Sequence, residues 1–490
     1  MKEFLKLPLF IFLFVVFAPL LGILIRKSLF WQRLIFFALC FSTIQGFLKY
    51  AEVGFTILPY EYRGHARGFH VFFAEVFAWT LVVARCFGDW KNFKLFPPGL
   101  GLYLLYCTLS FLSIFSAVNQ QHVWTAAFKF YGAAVILVAA YNYVRNEKEL
   151  KFFIGCMSVT MLWEAFVVLK MKYVDHIYQV MGTFEHQNSL SMFTSMIGMV
   201  LLAFSLGPRT NTSAFAFLAF IGCAAISQST LSRAGLAVFA FGTVMVLLLS
   251  LWDKPTKRRW ALTGALATVG AIGLAFTLDT IVARFNDYGN QESAMTRKNL
   301  NKAAWMMVQD YPTGVGWNNF ARVINHPYPY GDHIDRWHMM HGNPVDRNYP
   351  KGVVESWYYL TLSETGWQGL FGLLVMIGTF LWWNVRAIWA FRGTLLGAVS
   401  IGIFVGCGIN YGQSLLERVL TQPRNLFLWM LLLGITGKIE WMRRQKVKED
   451  REAARGRNVR RPKFERVQVS IDPPEPKPVR AKRAPRSTTA

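Results

Sequence analysis

The chain has 490 residues, 53% of them hydrophobic and only 16% charged, where soluble domains carry about 25% charged residues. Its 52 Lys and Arg outnumber 28 Asp and Glu for a formal charge of +24, and the excess is uneven, since residues 442–490 hold 16 Lys/Arg against 6 Asp/Glu. A soluble enzyme, a secreted disulfide scaffold and a disordered chain are all poor fits; the composition is that of a polytopic membrane protein.

A membrane helix needs about 20 mostly apolar residues. Suitable runs fall at about 7–25, 29–48, 69–87, 97–117, 123–144, 150–171, 187–206, 212–230, 232–251, 259–280, 367–390, 394–412 and 423–441. The expected fold class is therefore an all-α, polytopic membrane helix bundle of about 12–13 transmembrane helices. The first run follows Lys2 and Lys6 but lacks a small-x-small cleavage site and ends in Arg26-Lys27, so it reads as an uncleaved helix. The six cysteines stand singly in apolar runs and read as small buried hydrophobes.

Basic residues in short loops set the orientation. Arg145–Lys151, Lys254–Arg259, Arg386–Arg392 and the tail alternate correctly to share the cytoplasmic side. The loop 281–355 then faces outward, with 173–186, the Ser232-Arg233 turn and 413–422. Thirteen spans place the N-terminus outside; merging one N-terminal pair gives twelve and places it inside. Both topologies stay open.

The loop 281–355 is far longer than a connector needs. Leu300, Ala304 and Met307 form an apolar stripe that predicts a helix, stopped by Asp310-Tyr-Pro-Thr-Gly314. The remainder, rich in Pro, Gly, His and Asp, reads as irregular. The transmembrane domain, loop included, is placed at 1–441. Residues 442–490, with Pro473-Pro-Glu-Pro-Lys-Pro478, cannot bury a core and are expected to be a disordered basic cytoplasmic tail. That tail is either a solvated topology signal or an electrostatic contact with anionic lipid.

Ionisable groups at membrane depth are expensive and mark function. Arg233, Arg284 and Arg297 border the outward face, and together they could grip a pyrophosphate through their guanidinium forks. The bland reading is that each snorkels to headgroups or pairs with Asp287 or Glu292. Glu355 and His341 are candidates for proton transfer; Glu355 could equally satisfy the N-terminus of the following helix. Glu364, beside the glycine break in Ser363-Glu-Thr-Gly366, reads as a partner for backbone groups at that break. Glu75, Lys129 and Glu164 fall inside spans, as path residues or as a buried pair. His333, His338 and His341 with Asp332 and Asp335 carry metal-ligand types, but their spacing fits no strong pattern and favours surface histidines.

Four motifs occur in a telling order. Gly182-Thr-Phe-Glu-His-Gln-Asn188 precedes a span, and Ser232-Arg-Ala-Gly235 opens another. Arg297 is followed by Asp310-Tyr-Pro-Thr-Gly-Val-Gly-Trp-Asn-Asn-Phe320, and then by Glu355-Ser-Trp-Tyr-Tyr-Leu-Thr-Leu-Ser-Glu-Thr-Gly366. This arrangement resembles the bacterial O-antigen ligase and O-antigen polymerase superfamily. The resemblance implies a multi-pass protein of the bacterial inner membrane, built like a C-type glycosyltransferase with its active face periplasmic. It also implies an inverting, metal-independent glycosyltransferase without cofactor. Such an enzyme moves a glycan from undecaprenyl pyrophosphate to an acceptor hydroxyl on a lipid A–core sugar or a second lipid-linked repeat. Its partners would be those glycans and membrane lipids, with no nucleic acid. By position, Arg233 and Arg297 would hold the pyrophosphate with Arg284, while His186 and Asn188 would shape the substrate cavity. Where the ligases have a His-Asn pair this chain has Glu355-Ser356, which shifts weight toward a polymerase or exopolysaccharide transfer. The rival class is a transporter or flippase of lipid-linked saccharides, though no internal repeat supports duplicated halves.

Overall fold

The computed structural model describes residues 8–9, 11–44, 52–59, 62–285, 289–340 and 351–454. Among the described residues, each expected span overlaps a helix, the one at 69–87 after starting as a strand. A π-helical run Phe12–Phe17 leads into α1 (Ala18–Ile25), followed by α2 (Leu29–Phe41). After the hairpin β1 (Glu52–Thr56) and β2 (Gly68–Phe72) come α3 (Phe73–Gly88), α4 (Leu100–Phe111), α5 (Gln120–Tyr143) and α6 (Glu147–Tyr173). Then follow α7 (Gln187–Leu206), α8 (Ser213–Thr230), α9 (Arg233–Asp253) and α10 (Lys257–Phe285). The loop 281–355 supplies α11 (Gly289–Asp310), α12 (Phe320–Val323) and α13 (Asp332–Met340); α14 (Trp357–Ala390), α15 (Leu395–Gln413) and α16 (Pro423–Ala454) complete the order. Among the described residues, α5, α6, α7, α8, α9, α14 and α15 are long and apolar enough to cross a membrane. The result is an all-α membrane bundle.

Two elements depart from the sequence reading. The run expected as a helix from residue 69 begins as β2, paired antiparallel with β1 in the register Val53↔Val71 and Phe55↔Phe69. Its β-branched and aromatic residues suit a strand as well as a helix, and apolarity alone does not separate the two. Within the loop, α13 forms where irregular chain was expected. Separately, α16 continues to Ala454, into the segment assigned to the tail, and residues 455–490 lie outside the described residues.

The bundle is organised around α7, whose side chains from Ser189 to Leu206 are all buried. It packs on α15 and α8. A Cβ on Gly406 would lie 2.3 Å from the Met196 carbonyl oxygen, and one on Gly402 would lie 2.5 Å from Val200 Cα. Small residues let helix backbones approach where lipid supplies no hydrophobic driving force. The loop has a small core of its own: Leu300, Ala304 and Met307 pack with Val315, Phe320, Tyr330 and Val354. The predicted stripe therefore faces inward, leaving Arg297 on a different face of α11.

Candidate functional site

The site is built on the N-terminal end of α7. His186 caps that helix, its Nδ1 accepting the Asn188 N–H at 3.1 Å. Asn188 then ties two further loops together. Its Nδ2 donates to Glu417 Oε1 at 2.7 Å, and its Oδ1 accepts from Ser232 Oγ at 2.9 Å. Ser232 is itself the N-cap of α9, accepting the Gly235 N–H at 3.3 Å. Arg233, half-buried, is the first residue of α9 and so starts beside Asn188. Segments read as sharing one face thus meet at one end of the bundle. At the other end, Arg392 donates to the carbonyls of Trp252 and Asp253.

Glu417 connects this end of α7 to the loop helix. It accepts from Arg297 Nη2 at 3.0 Å, while Arg297 Nε donates to Glu355 Oε2 at 2.5 Å. One guanidinium therefore serves two carboxylates. Side-chain exposure is 33% for Arg297, 39% for Glu355 and 10% for Glu417, so the cluster is open on the Glu355 side. A half-exposed ion pair of this kind adds only about 0.2–1 kcal/mol to stability. Burial pushes the Glu417 carboxyl up to about 7, aided by the Glu355 charge and opposed by Arg297. Burial works against the Arg297 charge, but the hydrogen bond and charge of Glu355 outweigh it and hold the guanidinium above its ordinary value. Burial lowers His186, partly offset by Glu355.

The Gly182–Asn188 segment owes its shape to Glu164. That carboxylate accepts from the Thr183 N–H at 2.9 Å and the Thr183 hydroxyl at 2.8 Å. Gly182 has φ 57° at the contact, where a Cβ would lie 2.1 Å from Glu164 Oε1. Glu164 is thus spent on the loop. Glu75 accepts the Phe72 N–H at 2.9 Å within the first turn of α3, and Lys129 donates to the His65 carbonyl at 2.8 Å.

Glu364 lies in a second, closed arrangement. It accepts the backbone N–H groups of Asn318 and Phe320, both at 3.0 Å, and contacts His65 Nε2 at 2.9 Å. The backbone groups it satisfies belong to the Gly314–Phe320 loop rather than to its own helix break. That break, at Gly366 with φ 70°, nests against Gly314 with φ 91°; a Cβ on Gly314 would lie 2.3 Å from the Glu364 carbonyl oxygen. Two of the motifs are therefore halves of one interlocked turn.

Among the residues singled out in the sequence, Arg297, Glu355, Asn188 and His186 come together, with Arg233 at the adjoining helix start. Arg284 lies at the end of α10, but its side chain is outside the described residues, as is His341. Among the described residues, His333 and His338 join no metal-type cluster, and His333 Nε2 contacts the Asn299 carbonyl at 2.9 Å. His326, Asp332 and Asp335 do bring ligand atoms within 4.8 Å of one another. Lys351 Nζ stands 3.0 Å from Asp335 and supplies the cation there. Glu417 and Arg418 were missed. Both sit in the segment 413–422 between two apolar helices, the same signal that singled out Arg233.

Comparison with known families finds one matching stretch. Residues 214–343 match the family described as O-antigen ligase. The O-antigen ligase match runs from α8 through Arg233 and Arg297 and ends ahead of Glu355. It supports the resemblance read from the four motifs and, with the apolar helices, a membrane glycosyltransferase of the ligase or polymerase type. No curated protein matches the chain.

Proposed function

We propose that this protein transfers a glycan from undecaprenyl pyrophosphate to an acceptor hydroxyl at the periplasmic face of the bacterial inner membrane. The donor's diphosphate binds Arg297, with Arg233 and Arg284 contributing from neighbouring segments. Glu355 takes the proton from the acceptor hydroxyl, and His341 is the other group placed by sequence to do so. The acceptor oxygen attacks the anomeric carbon as its bond to phosphate breaks, and the electron pair leaves with the polyprenyl diphosphate. Direct attack inverts the anomeric centre. Charge growing on the leaving group is offset by guanidinium groups, so no step calls on a metal.

The observation that carries this reading is the double grip on Arg297. Glu355 and Glu417 occupy N–H groups that match phosphate oxygens equally well, and they do so where one side of the cluster is open. Replacing the His of the ligase His-Asn pair by Glu355 keeps a proton acceptor in place and favours polymerase or exopolysaccharide transfer over lipid A–core ligation.

Arg297→Ala tests the proposal. Transfer should fall at least about 100-fold, with lipid-linked glycan accumulating in cells and membrane insertion unaffected. Unchanged glycan products from a normally inserted variant would overturn it.

A further inference from the structure

We propose that Arg418 is a further phosphate-binding side chain of this site, so that a polyprenyl diphosphate is held between Arg297 and Arg418. The inference rests on the donor reading above and adds a residue that no sequence motif marks.

Arg418 follows Glu417 directly and begins the short turn Val419–Thr421. Its neighbour Glu417 turns inward onto Arg297. Arg418 itself is half-buried, and its hydrogen bonding among the described residues amounts to one long contact, Nη2 to the Arg63 carbonyl at 3.4 Å. The charges of Glu364, Glu355 and Glu417 all act on it favourably, yet none of these carboxylates comes within ion-pair distance. Burial works against its charge. A guanidinium at an exposed edge of the site, with most of its N–H donors not spent on the protein, is open to an anion that fits its fork.

The anion's chemistry follows from the neighbours. Arg297 already presents one edge of its fork to two carboxylates, Glu355 at Nε and Glu417 at Nη2. Glu417 is in direct contact with Arg297 and is bonded in the chain to Arg418. An anion that displaces the Glu417 carboxylate from Arg297 therefore arrives next to Arg418. A single phosphate can satisfy one fork; a diphosphate has oxygens enough for two, each fork taking a phosphate bidentately. Two arginines also offset the charge of a diphosphate leaving group better than one. Arg63 lies close enough to lower the Arg418 charge affinity, adding to the positive field on this wall.

The test measures binding to the full-length protein in phosphatidylcholine nanodiscs, with undecaprenyl diphosphate and undecaprenyl monophosphate as probes. Wild type should prefer the diphosphate by at least tenfold. Arg418→Gln should erase that preference while leaving monophosphate binding within about threefold, and Arg418→Lys should restore part of it, because lysine keeps the charge without the fork. Should Arg418→Gln fail to fold, hydrogen exchange on wild type gives the same answer: the diphosphate should protect the backbone of 414–422 more than the monophosphate does. Full preference in Arg418→Gln, or equal protection by both probes, overturns the role of Arg418. If Arg297→Ala also binds diphosphate normally, the donor reading itself falls; if only Arg297→Ala loses binding, that reading stands and this inference fails.

Discussion

Glu355 and Glu364 belong to one stretch of chain at the start of α14 and live in opposite settings. Glu364 is 1% exposed and spends its oxygens on two backbone N–H groups and His65. Glu355 stands at 39% side-chain exposure on a guanidinium that it shares with Glu417. A carboxylate satisfied by backbone donors is fixed, since losing it strands buried N–H groups. A carboxylate on an exposed-edge arginine can be exchanged for another anion at little cost. The difference separates the residue that holds the motif loops in place from the residue free to take part in chemistry.

The sharpest way to break that comparison is to make the same change at both positions. Glu364→Gln should unsettle the Gly314–Phe320 loop, because the new amide points a donor at a backbone donor. The loss should be about 3–5 kcal/mol, as for removing one partner of a buried ionic network, and the variant should melt early and accumulate poorly. Glu355→Gln should fold normally and lose transfer by about 100- to 10,000-fold, the usual contribution of a general base. Thermal melting of both purified variants beside a transfer assay reads the two outcomes. A stable Glu364→Gln together with an active Glu355→Gln would reverse the assignment.

A smaller effect sharpens the contrast within the arginine cluster. The Glu417 carboxyl is pushed up to about 7, first by burial and then by Glu355. A carboxyl raised in the folded state holds its proton after the unfolded chain has released one. Stability from this group is therefore unpenalised below about pH 4.5 and declines as pH rises to 7, by up to roughly 3 kcal/mol. Glu417→Gln should flatten that decline between pH 5 and 8. Melting curves across this range decide it: an unaltered slope in the variant would show that Glu417 ionises freely in the folded protein.

Most helices were legible because long apolar runs leave few alternatives, and the loop helix because its stripe repeats at helical spacing. The hairpin 52–56/68–72 was not, since Phe69, Val71 and Phe72 run without interruption into the apolar face of α3. The site was legible in part. Asn188, Arg297 and Glu355 each border an apolar run, where polar groups stand out. Which of them touch depends on α7 packing beside α15, a long-range pairing with no local signal, so Glu417 and Arg418 passed unnoticed on their short turn. The grouping of the loop's metal-type residues was hidden for the same reason: the sequence set His333 beside Asp332 and Asp335 and favoured surface histidines, while the folded loop puts His326 beside those aspartates and adds Lys351.

The smallest effect concerns how the His186–Asn188 wall is kept in register. Gly182 sits at φ 57°, which costs a residue with a Cβ about 1 kcal/mol or more. A Cβ at that position would also lie 2.1 Å from Glu164 Oε1, so the carboxylate must give way. Glu164 cannot retreat without loosening its bonds to Thr183, which set the course of the chain toward His186. Gly182→Ala should therefore cost about 1–3 kcal/mol and lower donor affinity without abolishing transfer. Pairing it with Glu164→Ala separates the two contributions. Removing the carboxylate relieves the clash but also gives up the Thr183 bonds, so the remaining strain is read as the loss of the double variant relative to Glu164→Ala alone. Equal stability of the double variant and Glu164→Ala would mean that crowding alone, and not the left-handed backbone, requires glycine at this turn.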